Sequence, residues 1–159
     1  MNPHTGLSTS WQSSIIRDGD ALLDTLKESG LHRLEVDYRI HEDELKKIKK
    51  RLRNEFEVLS VHNPCPIPAD HAKQNKPWRI AEFSAIDEDE RRYAVKRGIE
   101  TLRLAADLQA RAVVFHFGFV DIDSDKKTLH QFFHDNQIGS EKHQNFIEKK
   151  LAERQRKAP

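Results

Sequence analysis

The chain has 159 residues, enough for one domain with a hydrophobic core, and its 27 basic and 26 acidic residues leave a net charge of +1. This balance provides no overall basic excess of the kind that favours nucleic-acid binding, and a 36% hydrophobic content does not force disorder. The single cysteine, Cys65, excludes an intrachain disulfide and suits a reducing compartment. No apolar run approaches about 18 residues and no signal-peptide pattern opens the chain, so we expect a soluble, cytoplasmic protein.

Short strands and amphipathic helices alternate along the first half of the chain. We expect strands over Gly6–Trp11 and Leu34–Tyr38, and helices over Ala21–Ser29 and His41–Leu52. In the second of these helices acidic residues lead and basic residues follow, as the helix macrodipole favours. Its apolar residues recur at spacings of three and four, which predicts one buried face made of Leu45, Ile48 and Leu52.

Capping residues mark where three helices begin. Asp18 or Asp20 can cap the first helix, and a run of acidic residues opens the longest helix, 87–108. Ser140 can cap a last helix, Glu141–Arg156. The longest helix also contains an apolar set at helical spacing, made of Val95, Ile99, Leu102 and Ala106.

Two further predicted strands each end in or near a histidine. His62 follows the strand Val58–Val61 directly. The run Ala112–Phe117 is short, apolar and β-branched, which is typical of a strand buried on both faces, and it contains His116 near its end. A proline-rich loop, 63–84, follows the first of these strands, and its position beside a strand-end histidine favours a role in covering a site.

Four βα units in succession predict an α/β fold with a parallel sheet and right-handed crossovers. We expect one domain over residues 1–159, either an open sheet or half of a (βα)8 TIM barrel. No strand is followed by a glycine-rich phosphate-binding motif, which disfavours a nucleotide-binding Rossmann or P-loop protein. A half barrel would leave its first and fourth strands as open edges and one apolar sheet face uncovered, and such surfaces invite self-association.

Candidate site residues gather where these parallel strands end, at the edge where α/β proteins bind ligands. His62 and His116 would lie there on adjacent strands, and two imidazoles can contact a shared metal ion or substrate. Glu35, and Asp37 on the same side by alternation, are further candidates because a buried carboxylate needs a cationic or metal partner. Plainer alternatives stay open, namely histidines bonded to a neighbouring loop and a carboxylate bonded to the backbone.

Three further residues lie near this edge in sequence. Trp11 follows the first strand and can either line a sugar or base pocket or pack as an ordinary aromatic. Trp78, in the proline-rich loop, has the same two interpretations. Cys65 has no neighbouring base that would activate a nucleophile, so we expect its thiol to be inert.

Short motifs at the strand ends carry a resemblance to a known family. They are Gly6–Ser10 at the first strand, Leu34–Val36 at the second, Ser60–Pro64 at the third and Val113–Gly118 at the fourth. In this order and spacing the chain resembles the N-terminal half of the xylose-isomerase-like TIM barrels. That superfamily includes sugar phosphate isomerases and epimerases, and the endonuclease IV-type apurinic-site endonucleases.

The resemblance implies roles for individual residues. His62 and His116 match the strand-end histidines that are metal ligands in the endonuclease branch. In the epimerase branch, strand-end residues of the first half shape the substrate pocket, which implies substrate contacts for Trp11, Glu35 and Asn63. The other metal ligands and the acid/base glutamates of that branch come from strands five to eight, which these 159 residues do not include.

The first functional expectation is therefore a metal-assisted sugar or sugar phosphate isomerase or epimerase, of which this chain carries half of the site. The implied cofactor is a divalent zinc, manganese or magnesium ion, and the implied partners are a small sugar or sugar phosphate and a second copy of the chain. An apurinic-site endonuclease ranks second, because the near-neutral charge does not supply a basic surface for DNA. A truncated, non-catalytic half barrel that self-associates is the third hypothesis.

Overall fold

A computed structural model of the chain describes residues 5–68, 82–118, 120 and 122–158. Within these residues the chain forms two compact units, 1–118 and 119–159. The strands are β1 Leu7–Ser8, β2 Arg33–Val36, β3 Glu57–His62 and β4 Ala112–Val114. The helices are α1 Ser10–Ser13, α2 Gly19–Glu28, α3 Glu42–Glu55, α4 Glu88–Asp107, α5 Lys126–His134 and α6 Glu141–Lys157.

The four strands form one parallel sheet in the order β1-β2-β3-β4, which confirms the predicted α/β class. Each strand is therefore hydrogen-bonded to its neighbour in the chain, and β1 and β4 are the edges of this sheet. Because all strands run in the same direction, their carboxyl ends lie along one border of the sheet, which we call its carboxyl edge. The loops that follow β1, β2, β3 and β4 all start there.

One side of the sheet carries the hydrophobic core of the first unit. Leucines of α2 and the predicted stripe of α3 pack against the inward residues of β2 and β3. The fully buried members include Leu22, Leu23, Leu26, Leu34, Val36, Ile48, Leu52 and Val61. The prediction of a buried α3 face made of Leu45, Ile48 and Leu52 is thus confirmed.

β3 has one more residue than β2 across their shared ladder. Leu34 pairs with Val58, but the next residue, Glu35, pairs with Ser60, so Leu59 has no counterpart on β2. The two buried valines of β3 are therefore three positions apart, which strict alternation of a strand would not allow. The opposite face of the sheet is polar at Glu35 and Ser60, where a half barrel was expected to leave an apolar face.

The outer strands are shorter than predicted. β1 contains only two residues, and Trp11 belongs to α1 rather than to the strand. β4 ends at Val114, whose side chain is 37% exposed, so the prediction of a fourth strand reaching Phe117 and buried on both faces is wrong. An edge strand has one neighbour, and its apolar composition does not by itself bury it.

α4 buries a different face from the one that its apolar spacing indicates. Val95, Ile99 and Leu102 are 43 to 49% exposed, so the predicted stripe does not form the buried face. The buried residues are mostly small or polar, namely Ala94, Arg97, Gly98, Thr101, Leu104 and Ala105. At Gly98 an added Cβ would lie 2.9 Å from the ring of Phe83, so this helix approaches its neighbours too closely for a larger residue.

The predicted caps form. Asp18 accepts a hydrogen bond from the backbone of Ala21 at the start of α2, and Ser140 accepts one from the backbone of His143 at the start of α6. Asp87 caps α4 by accepting from two backbone N–H groups. Each cap satisfies amides that have no partner within their own helix, which fixes where the helix begins.

Arg51 joins α2 to α3. Its guanidinium donates to Asp20 and Asp24 of α2 and to Glu55 one turn further along α3. These carboxylates raise the pKa of Arg51, and the guanidinium, together with Lys27, holds the pKa of Glu55 at about 2. The charged outer faces of the two helices are thus paired with each other.

The second unit contains α5 and α6. Phe132 of α5 is buried, and its ring lies 5.2 Å from the imidazole of His143 and 5.5 Å from the ring of Phe146. Lys150 pairs with Asp125 at the start of α5 and with a glutamate of its own helix. Within the described ranges, no helix has both the length and the apolar character needed to cross a membrane.

Candidate metal centre at the carboxyl edge of the sheet

Three side chains from the ends of β2 and β3 form a group that we call the carboxylate–histidine cluster: Glu35, Asp37 and His62. The imidazole Nδ1 of His62 lies 3.6 Å from Glu35 Oε1 and 3.7 Å from Asp37 Oδ2. All three donor atoms lie within 4.8 Å of one another. Asp37 is almost fully buried, and the other two side chains are partly exposed, so the cluster opens to solvent on one side.

Each carboxylate of the cluster is held through the oxygen that does not face His62. Ser60 Oγ donates to Glu35 Oε2 at 2.9 Å, across the β2–β3 ladder. Arg39 donates to Asp37 Oδ1 from its backbone N–H at 3.0 Å and from its guanidinium at 2.7 Å. One oxygen of each carboxylate is therefore fixed by the protein, and the other faces the imidazole.

The surroundings of the cluster limit its mobility. The backbone N–H of Asp37 donates to Thr9 Oγ1 at 2.9 Å, which ties the end of β2 to the end of β1. Tyr38 places its ring edge toward the imidazole of His62, with 5.7 Å between the ring centroids, and carries the guanidinium of Arg39 over its face. Burial raises the pKa of Tyr38, so its hydroxyl is neutral near pH 7.

His116 lies on the far side of the His62 ring from the two carboxylates. The Nε2 atoms of the two histidines are 2.8 Å apart, and the rings stack at 24° with centroids 4.9 Å apart. The prediction that these two histidines lie together is confirmed. His116 is exposed and does not belong to the three-residue cluster, and its role as a metal ligand stays a prediction.

Two carboxylates and one imidazole form a donor set that could hold a divalent metal ion. Oxygen ligands suit magnesium and manganese, and the addition of an imidazole also suits zinc. A metal ion on Nδ1 would require the proton of His62 to sit on Nε2, where it donates to His116. The contact between the histidines is compatible with that tautomer, because His116 Nε2 lies 2.8 Å from His62 Nε2 and can accept its proton in a hydrogen bond.

The other predicted contact residues have separate surroundings. Trp11 is 51% exposed on α1, so its ring is available to a ligand, and its substrate role stays a prediction. Asn63 is 2% exposed, and its Oδ1 accepts a hydrogen bond from Thr101 at 3.0 Å. The side-chain oxygen of Asn63 is therefore bonded within the protein, and a substrate contact by Asn63 likewise stays a prediction. Trp78 and the central part of the proline-rich loop lie outside the described residues.

Sequence reasoning missed the residues that hold the cluster. Ser60 and Arg39 were not predicted, although each is two positions from a predicted site residue. Side chains two apart in a strand share a face, so Ser60 could have been found from His62. Cys65 is fully buried, which raises the pKa of its thiol and fits an inert side chain.

Thr101 organises the chain just after β3. Its hydroxyl accepts from the backbone N–H of Cys65 at 3.0 Å and lies at hydrogen-bond distance from Asn63 Oδ1. We expect Thr101→Val to lower the free energy of unfolding by about 1–3 kcal/mol, because the shape is kept while buried polar partners lose their bond. Urea unfolding followed by circular dichroism measures this change.

Thr25→Val is the matched control for that substitution. The hydroxyl of Thr25 bonds only to a carbonyl of its own helix at an exposed position, so its loss should be close to neutral. Equal losses in the two variants would show that the Thr101 bonds contribute nothing beyond the helix preference of the residue.

The described residues define an α/β protein whose parallel sheet carries, at its carboxyl edge, a cluster that could hold a metal ion. Comparisons with protein families, with curated proteins and with solved structures find no match to this chain. The chemistry of the cluster is therefore the strongest pointer to function.

Proposed function

We propose that the chain corresponds to the first four βα units of a (βα)8 barrel and serves as a metal-assisted sugar or sugar phosphate isomerase or epimerase. The four parallel strands in sequential order, with the helical core on one side, support this arrangement. The polar residues on the other side of the sheet support it as well, because that side would face the barrel interior.

The carboxylate–histidine cluster is the observation that carries the proposal. Glu35, Asp37 and His62 would hold a zinc, manganese or magnesium ion at the edge where barrel enzymes place their sites. When bound, such an ion polarises carbonyl and hydroxyl oxygens of a sugar and eases proton removal from the adjacent carbon. Ser60 and Arg39 keep the two carboxylates oriented toward the ion.

The chain's own residues would bind substrate. His116 is exposed and in hydrogen-bond contact with His62, so it would contact a substrate bound beside the cluster. Trp11 offers an exposed aromatic face, which sugars bind through their apolar C–H groups. The acid/base carboxylates of the reaction would come from the second half of the barrel, supplied by further strands or by a second copy.

Exchange of a substrate proton for deuterium tests this function. The chain, loaded with Mn²⁺ or Zn²⁺ in D₂O, is incubated with aldoses, ketoses and their phosphates, and proton NMR follows the C–H next to the carbonyl. We expect metal-dependent loss of that signal with one sugar class, abolished by a chelator and by Glu35→Gln. Glu28→Gln, at the exposed end of α2, is the matched control and should leave exchange unchanged.

Two results would contradict the proposal. The first is that no sugar exchanges a proton at any protein concentration that permits self-association. The second is metal-dependent cleavage of duplex DNA carrying an abasic site, with a steep dependence on salt, which would assign the chain to the endonuclease branch instead.

A further inference from the structure

A separate cavity of about 400 Å³ lies beside the carboxyl ends of β1 and β2, between the segment that leads into α2 and the one that leads into α3. Part of its lining is aliphatic, from Ile16, Leu22 and Ile40. This volume suits a small organic molecule rather than a bare ion. None of the three members of the carboxylate–histidine cluster lines it.

Basic side chains with unused donors line this cavity. Arg17 has no hydrogen-bond or ion-pair partner among the residues that the structure describes. Arg39 uses its backbone and one guanidinium nitrogen on Asp37, and a guanidinium has five donors in all. His41 also lines the cavity, and its imidazole ring has an N–H donor. Arg17 and the remaining guanidinium donors of Arg39 are therefore available to a ligand.

Glu44 is the one acidic side chain of this lining, and it is already neutralised. Its Oε2 accepts from the backbone N–H of Gly19 at 2.9 Å, and its other oxygen pairs with Lys47. These two contacts lower the pKa of Glu44, which is ionised and fully partnered. Both carboxylate oxygens of Glu44 are occupied by Gly19 and Lys47, so Glu44 does not pair with Arg17.

One neutral donor in the same lining has no acceptor among the described residues. The hydroxyl of Ser13 is buried and finds no hydrogen-bond partner among the described residues. A buried hydroxyl of this kind is costly unless something accepts its proton. α3 begins beside the cavity, and its N-cap residue, His41, makes no side-chain cap bond to the first amides of the helix.

We propose that this cavity binds a small molecule carrying a phosphate group. Arg17 and Arg39 hold the phosphate oxygens, and the hydroxyl of Ser13 donates to the same group. Guanidinium groups match phosphate because paired N–H donors meet paired oxygens. Arg39 is already ion-paired with Asp37, so Arg17 supplies the positive charge that has no carboxylate partner among the described residues. Arg39 also holds Asp37 of the carboxylate–histidine cluster, so the bound phosphate and the metal centre share one residue.

The test is a titration of the metal-free chain, followed through backbone amide signals by NMR in about 0.15 M salt, where non-specific attraction is screened. The ligands are inorganic phosphate, glycerol 3-phosphate, glycerol and acetate. We expect saturable shifts at Ser13, Arg17 and Gly19 with the two phosphates and none with glycerol or acetate. Arg17→Ala should weaken binding about tenfold or more, since a charge-assisted bond is lost.

Arg103→Ala is the matched control, because Arg103 is an exposed arginine of α4 away from this cavity, and it should change the affinity less than twofold. The proposal is overturned if both arginine variants lose affinity equally, if acetate binds as well as phosphate, or if no shift saturates by about 10 mM ligand. Since no metal is present, none of these outcomes bears on the function proposed for the carboxylate–histidine cluster.

Discussion

His62→Ala should lower the affinity of the chain for Zn²⁺ or Mn²⁺ by about 100-fold or more. His62 supplies the nitrogen that faces both carboxylates, and without it Glu35 and Asp37 have no third donor within reach among the described residues. Loss of an orienting neighbour alone typically costs a metal site about 10- to 100-fold, and loss of a ligand costs more. Isothermal titration calorimetry of metal-free protein measures the change.

This measurement needs a background in which other histidines do not bind the metal. His130 and His134 are exposed and one helical turn apart on α5, and two histidines at that spacing can chelate a divalent ion. The comparison is therefore made with both replaced by alanine. His32→Ala, an exposed histidine outside every cluster described above, is the matched control and should leave the affinity unchanged.

His116→Ala locates the ion relative to the His62 ring. If the ion lies on Nδ1, His116 acts only by accepting the proton on Nε2, and its loss should cost about tenfold. A loss as large as that of His62→Ala would place the ion between the two Nε2 atoms instead. If His62→Ala leaves the affinity for the metal unchanged, the carboxylate–histidine cluster does not bind the metal.

Leu23→Ala should lower the free energy of unfolding of the first unit by about 2–5 kcal/mol. Leu23 is completely buried in the core between α2, α3 and the sheet, and its truncation removes apolar contacts and leaves a cavity. A loss of this size is a large part of the stability of an ordinary domain. Urea unfolding measures it, with the midpoint falling while the slope is kept.

Leu102→Ala tests whether burial is the cause of that loss. Leu102 is the same residue type on α4, about half exposed, and its truncation should cost about 1 kcal/mol or less. Leu23→Met, which keeps the volume, should cost less than about 1.5 kcal/mol. If Leu102→Ala destabilises the protein as much as Leu23→Ala, the exposed face of α4 is covered in solution.

The residues of α3 and of the helix caps could be predicted because local rules determine them. Leu45, Ile48 and Leu52 recur at the helical period, and that period alone selects the buried face. Asp18 and Ser140 bond to amides three residues away, so the sequence nearby contains both partners. The contact between His62 and His116 could also be predicted from the sequence, because both residues come at the carboxyl ends of neighbouring parallel strands.

The buried face of α4 could not be predicted from its composition. Its largest apolar residues, Val95, Ile99 and Leu102, are exposed, whereas Gly98 and Thr101 are buried. The face that contains Gly98 is buried because it packs against the aromatic rings of Phe83 and Phe115. The spacing of apolar residues within the helix cannot indicate where rings from other segments will lie. The exposure of β4 was missed for a related reason, because membership of a sheet edge is a property of the whole sheet.

The unpaired residue of β3 decides whether there is a site at all. If β2 and β3 were paired without a skip, Glu35 would lie opposite Leu59, and Asp37 would lie opposite Val61 rather than His62. All three members of the carboxylate–histidine cluster would be present in the chain and none would be in register. The side chain of Leu59 fits against Gly6, where an added Cβ would come within 2.6 Å of it. The cluster therefore depends on one leucine being left out of the ladder: a pairing without this skip would keep every residue capable of chemistry and lose the site.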